Sequence, residues 1–324
     1  MPPPSMADVR DLAEKSPLVF RAYVLGVIPF TSNAETGVGN QYMARIHVDR
    51  WYRGKGPTEA TLRFAYGSFA SNGHDCIDFR PETYWVVFAH EANGQLRLID
   101  DCQGALTISP LMGHDLGTAD WLAQMEADFL AGLNDHDSAA RLASIQRLGG
   151  FQLPSSRDAL HRVIENGHDA ESKWAVYAAL RTGDISVLPR VKQLFANGDR
   201  ELPESAIALQ LRPVTDPATV PDLIAILQSA PGEITQACAM TAFGEVLKDP
   251  RAVPSLAAHL SDPVPSSAST ASPAYHALSG LKNITHEEAC TLPPERGERG
   301  VQPQISRCTI WWEQVGKFRD WSQN

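Results

Sequence analysis

Two short clusters bring together residue types that can hold a metal. His286-Glu-Glu-Ala-Cys290 differs in one residue from the His-Glu-x-x-His zinc motif. On a helix its His286 and Cys290 would share a face. However, the segment runs at once into Thr291-Leu-Pro-Pro, which stops a helix, and no third ligand follows at a suitable spacing. Cys290 and Cys308, 18 residues apart, are therefore predicted to close a loop as a disulfide. His74-Asp-Cys76 and Asp100-Asp-Cys102 could meet on adjacent strands, but two cysteines placed there again predict a Cys76–Cys102 disulfide rather than a metal site. Cys238, the fifth cysteine, sits in a helical stretch and reads as a small buried hydrophobe. Trp311 and Trp312 could form a sugar platform, yet their place in the last helix predicts a packing role. No Gly-x-Ser-x-Gly, P-loop, dinucleotide fingerprint or Cys-x-x-Cys occurs. These residues predict no catalytic, cofactor-binding or metal-binding group.

A second set of carboxylates is regular. Asp184, Asp216 and Asp249 each stand five residues before a proline, Pro189, Pro221 and Pro254, and an aliphatic residue precedes each proline. Successive prolines are 32 and 33 residues apart. Two residues after each proline come Val191, Leu223 and Leu256, and four further on Phe195, Leu227 and Leu260. The pattern predicts an Asp-headed turn, a proline in the first turn of the next helix and an apolar stripe at i, i+4. Aspartate at a helix start caps orphan N–H groups, so this ladder predicts structure rather than acid–base chemistry. A fainter copy, without the proline, is read at Asp158–Ile164, with Ala159 and Val163 on the stripe. One such helix pair cannot bury its own apolar face, so the units are expected to stack into an α-solenoid.

Ahead of the repeats the period is two. Leu18–Ile28 is rich in β-branched and aromatic residues. In Tyr42–Asp49 the residues Ala44, Ile46 and Val48 alternate with Arg45, His47 and Asp49. Leu62, Phe64 and Tyr66 repeat that alternation. Tyr84–Ala89 is continuously apolar, as a buried strand would be, and Ala92-Asn-Gly turns the chain into Gln95–Ile99. Five short strands predict a small closed barrel. The period changes at Gly117-Thr-Ala-Asp, where Thr118 is the expected N-cap and Trp121, Leu122, Met125, Phe129 and Leu133 follow at helical spacing. The predicted organisation is an extension over 1–17, a barrel over 18–117, a bridging helix over 118–136 and helical repeats over 137–324.

A length of 324 residues suits two domains, and 43% hydrophobic residues spread along the chain predict that both fold. A net charge of -10, with no basic stripe carrying interleaved aromatics, argues against nucleic acid as a partner. The apolar run Tyr84–Ala89 falls far short of the roughly 20 residues that span a bilayer. The N-terminus lacks a charged segment followed by an apolar one, which alone would suggest the cytoplasm. The cysteine pairs instead predict a periplasmic or extracellular setting, with a leader upstream of the residues given.

The helical part, over roughly 137–285, resembles HEAT-like repeat proteins. Tyr275-His-Ala-Leu-Ser-Gly-Leu-Lys-Asn and Ile310-Trp-Trp-Glu-Gln-Val resemble the terminal unit in which a tryptophan-bearing helix caps the stack. The strand-rich part resembles the TIMP-like, netrin-type OB barrel. The residues that carry this are Pro17–Gly26, Val48-Asp-Arg-Trp-Tyr-Arg-Gly, Cys76, Glu82–Ala89 and Cys102. Metalloproteinase inhibitors of that class begin with a Cys-x-Cys element, to which Cys76 and Cys102 would bridge; no cysteine precedes Cys76 here. The resemblances together imply a non-enzymatic protein-binding or scaffold protein of the bacterial cell envelope, with an unidentified protein as partner. The alternative is a metalloprotease inhibitor-like protein without its leading element.

Overall fold

The computed structural model of the chain describes residues 9–29, 41–65, 77–100, 103–197, 204–229, 232–263, 272–292 and 301–322. Tyr66 and the predicted Cys76–Cys102 pair lie outside the described residues. The chain divides into two compact units at Thr182–Gly183.

Five strands of the first unit close on themselves. They are β1 (Leu18–Pro29), β2 (Gln41–Arg53), β3 (Glu59–Ala65), β4 (Tyr84–Ala92) and β5 (Gln95–Leu98). The order runs β1-β2-β3-β5-β4 and back to β1, and only the β3–β5 pairing is parallel. The alternation in the sequence explains which residues fill the interior. Phe20, Ala22 and Val24, then Ala44, Ile46 and Val48, then Leu62 and Phe64, meet Trp85, Val87 and Ala89 in one core. The predicted hairpin turn is type I′, with Asn93 and Gly94 at φ 55° and 72°.

Two elements escaped the sequence reading. Strand β6 (Ala105–Ile108) adds to β4 through Tyr84–Val87, the half of that strand's edge that β5 leaves open. Its four residues are too few to show a period. Helix α1 (Val9–Lys15) occupies part of the stretch read as an extension, buries Val9, Leu12 and Ala13, and accepts a hydrogen bond from Arg53 at the Ala13 carbonyl.

The same unit continues through α2 (Trp121–Gly132), α3 (Ser138–Leu148), α4 (Pro154–Asn166) and α5 (Asp169–Arg181). The N-cap of α2 is Asp120, not Thr118. Asp120 accepts from the N–H groups of Leu122 and Ala123, while the Thr118 hydroxyl accepts from Asp120 N–H one step earlier. The fainter repeat is also in a different register. α4 begins on Leu153-Pro154, so the stripe positions after that proline are Ser156 and Leu160, both buried; of the two residues expected on the stripe, Ala159 is buried and Val163 half-buried. This copy therefore has its proline, and it lacks the Asp.

The second unit carries α6 (Leu188–Ala196), α7 (Glu204–Leu211), α8 (Val220–Ser229), α9 (Glu233–Thr241), α10 (Val253–Ala258), α11 (Pro273–Thr285) and α12 (Val301–Gln314). α6 packs on α8, α7 on α9 and α9 on α11, while α8 meets α9 and α10 meets α11. All six stripe residues, Val191, Phe195, Leu223, Leu227, Leu256 and Leu260, are buried. After α9 the chain widens into a π-helical turn, Ala242–Leu247, that Lys248 ends in the left-handed conformation. There Gly244 meets Gly280 of α11 so closely that a Cβ on Gly244 would lie 2.4 Å from the Gly280 Cα. No helix among the described residues is long and apolar enough to cross a membrane.

Candidate functional site

The three Asp-headed turns have one geometry. Asp184, Asp216 and Asp249 each cap a three-residue 3-10 turn, Ile185–Val187, Pro217–Thr219 and Pro250–Ala252, and each accepts from the N–H two residues on. The distances are 3.0 Å to Ser186, 2.9 Å to Ala218 and 2.9 Å to Arg251. Each turn then runs into its helix with Pro189, Pro221 or Pro254 at the second helical position, where a missing N–H costs nothing. The carboxylates are thus engaged with backbone, as capping predicts.

The turns differ in how far they reach. Arg251 grips Asp249 with Nε at 2.9 Å and Nη2 at 2.6 Å, and the same Nη2 donates to the Pro217 carbonyl of the preceding turn at 2.7 Å. This fork holds the Asp249 carboxyl below the usual range, against the opposing effect of partial burial. The corresponding positions, Ser186 and Ala218, are too short to make that link. α4 replaces its missing aspartate from outside: Glu126 of α2 accepts from the hydroxyls of Ser155, at 2.7 Å, and Ser156, in the first turn of α4. Glu126 is buried, and the positive end of α4 suits its charge.

The far end of the second unit is tied covalently. Cys290, in a 3-10 turn (Glu288–Cys290), is bonded to Cys308 of α12, as predicted, and both are fully buried. His286 is the left-handed C-cap of α11, so it and Cys290 do not share a helix, and the sulfur that a metal would need is in the disulfide. Arg319 pairs with Glu287 at 2.7 Å between the rings of Trp311 and Trp321. Trp311 is buried, which fits packing rather than a sugar platform. Cys238 is buried and unpaired, and burial pushes its thiol pKa up. Among the described residues no three His, Cys, Asp or Glu side chains converge as a metal site would require.

In the first unit a buried polar network joins the barrel to α2. Arg21, fully buried, donates to the carbonyls of Ser109 at 2.7 Å and Pro110 at 2.8 Å. Asp128 of α2 receives Arg50 at 2.6 Å, the Tyr52 hydroxyl at 2.5 Å and Gly113 N–H at 2.7 Å. Burial first, and the Asp128 charge second, raise the Tyr52 phenol well above its ordinary pKa. The loop so pinned, residues 109–120, turns Leu111, Met112 and Leu116 toward solvent. A cleft of about 540 Å³ opens elsewhere in this unit, lined by Leu133, Arg141, Val163, Asn166, His168 and Glu171. Its Arg141–Glu171 pair is closed on itself at 2.7 Å.

None of the network residues was singled out from sequence. Arg21, Tyr52 and Asp128 are 31 to 107 residues from one another in the chain, and only closure of the barrel against α2 brings them together. No family model matches the chain, and comparison with curated proteins finds no match.

Proposed function

We propose that the chain is a non-enzymatic protein-binding or scaffold protein of the bacterial cell envelope. In this reading the strand-rich part is a TIMP-like OB barrel, and the helices from about residue 137 are HEAT-like repeats that offer an extended surface. The observation that carries the reading is the reuse of one Asp-headed turn at Asp184, Asp216 and Asp249, each leading into a helix with the same buried stripe. A repeated unit whose conserved geometry is spent on capping and stacking leaves its outer residues free to vary with a partner. The barrel interior is filled by side chains and so offers its outer face rather than a cavity.

An oxidising compartment is supported by the Cys290–Cys308 bond. The test is isolation of the full-length chain from its native envelope after mild cross-linking, identification of what is joined to it, and reconstitution from purified components. A stoichiometric complex is expected, with the partner chemically unchanged. Turnover of the partner, by cleavage or modification, would replace the reading with an enzymatic one.

A further inference from the structure

Among the described residues, most arginines of the barrel end on an acceptor, and two do not. Arg21, Arg50 and Arg53 reach carbonyls or the Asp128 carboxylate, and Arg63 holds the Gln41 side-chain oxygen. Arg45 and Arg97 make no side-chain hydrogen bond or ion pair with any described residue. Strand register sets them on one outer face. Arg97 of β5 is directly paired with His90 of β4 on one side and with Arg63 of β3 on the other. Arg63 is in turn opposite Met43 of β2, so Arg45, two residues along, is its diagonal neighbour at roughly 7–8 Å.

Two atoms in this row are orphaned. Arg97 Nε and His90 Nδ1 are both buried without a hydrogen-bond partner among the described residues. Like charges side by side on a sheet are unfavourable, and so are buried donors left unmade. An anion laid across the row would relieve the crowding of like charges on Arg97, Arg63 and Arg45. Among the described residues, Asp49 lies 3.6 Å from Arg21 and 3.9 Å from His47, and Glu59, opposite His47, is the other diagonal neighbour of Arg45 but makes no ion pair with it.

We infer that this face, His90–Arg97–Arg63–Arg45, is a docking surface for an acidic peptide segment of a partner protein. The inference rests on the binding-protein reading and says where on the barrel, and for what chemistry, binding occurs. A net charge of -10 does not forbid it, because screening confines that field to about 8–10 Å at physiological salt while the contacts are local. Nucleic acid fits less well: the outer positions of this row, Met43, Arg45, Thr61, Arg63, His90 and Arg97, include no aromatic ring on which a base could stack beyond the imidazole.

The test uses the full chain and a fluorescently labelled glutamate-rich peptide, with its glutamine counterpart and a single-stranded DNA as controls. Anisotropy is expected to rise with the glutamate peptide alone, and added salt to weaken the effect. Replacing Arg45→Glu and Arg97→Glu together should weaken binding about tenfold or more, and the Arg45→Lys, Arg97→Lys pair should keep it. Arg45→Gln alone, at an exposed residue, should weaken binding about threefold and guards against misfolding of the double variant. Absence of peptide binding, binding indifferent to charge reversal, or tighter binding of DNA would each overturn the inference. A native partner that still binds the charge-reversed chain would overturn it too, while leaving the binding-protein reading intact; a wild-type chain that forms no protein complex removes that reading itself.

Discussion

Tyr52 of the barrel and Asp128 of α2 share a hydrogen bond of 2.5 Å, and both are buried. The pair holds strands and helices in one unit well past the point where the sequence period changes from two to 3.6. Its loss should therefore be felt as global destabilisation of that unit. Tyr52→Phe leaves one oxygen of a buried carboxylate unmatched, which costs about 1–3 kcal/mol. Chemical denaturation of the variant against wild type checks this.

The same tyrosine predicts an alkaline limit. Its folded pKa is raised, so the protonated phenol is the form that the fold favours. That contribution is whole below the unfolded value, about 10, and is lost as pH rises beyond it toward the folded value. Tyr177, raised by burial, acts in the same direction. A spectrophotometric titration should find the Tyr52 phenol ionising only with unfolding, and Tyr52→Phe should remove that component.

Capping predicts an order among the repeat aspartates. Asp184→Ala, Asp216→Ala and Asp249→Ala should each cost about 0.5–2 kcal/mol, with Asp249 the costliest because Arg251 and the link to Pro217 lose their anchor. Asp249 has a depressed pKa, so its contribution is present above the unfolded carboxyl value, about 4, and fades as pH falls through it toward the folded value. Thermal melts across mildly acidic pH should show a shallower loss for Asp249→Ala than for wild type.

What could be read from the sequence followed from local periodicity. Alternation placed Ala44, Ile46, Val48, Leu62 and Phe64 inside the barrel, and the Asp-to-Pro spacing placed three caps and six buried stripe residues. Short or exchanged signals were lost. β6 has four residues, α1 has seven, and the cap of α4 comes from Glu126 about 30 residues upstream rather than from its own turn. The basic row on the barrel was invisible for a related reason: its members come from four strands, and only register sets them side by side.

The disulfide closes an 18-residue separation and should contribute about 3 kcal/mol in the chain-entropy view. Cys290→Ser with Cys308→Ser should loosen α12 and the Trp311 packing, read as faster hydrogen exchange there. Thiol counting on the unfolded, unreduced chain should find one free thiol, Cys238, if Cys76 and Cys102 pair as their spacing predicts. Five free thiols would argue for a reducing compartment.

The most direct measurement of whether the second unit is a stacked array compares Leu223→Ala with Val191→Ala in denaturant melts. Leu223 is buried in α8, which packs on both α6 and α9, whereas Val191 belongs to α6, the first helix of the unit. Each unit of an array contacts only its neighbours, so a central lesion weakens two interfaces and a terminal lesion one. The account predicts a loss of about 2–5 kcal/mol for Leu223→Ala and a smaller one for Val191→Ala. A Leu223→Ala protein as stable as wild type, or less affected than Val191→Ala, would contradict it.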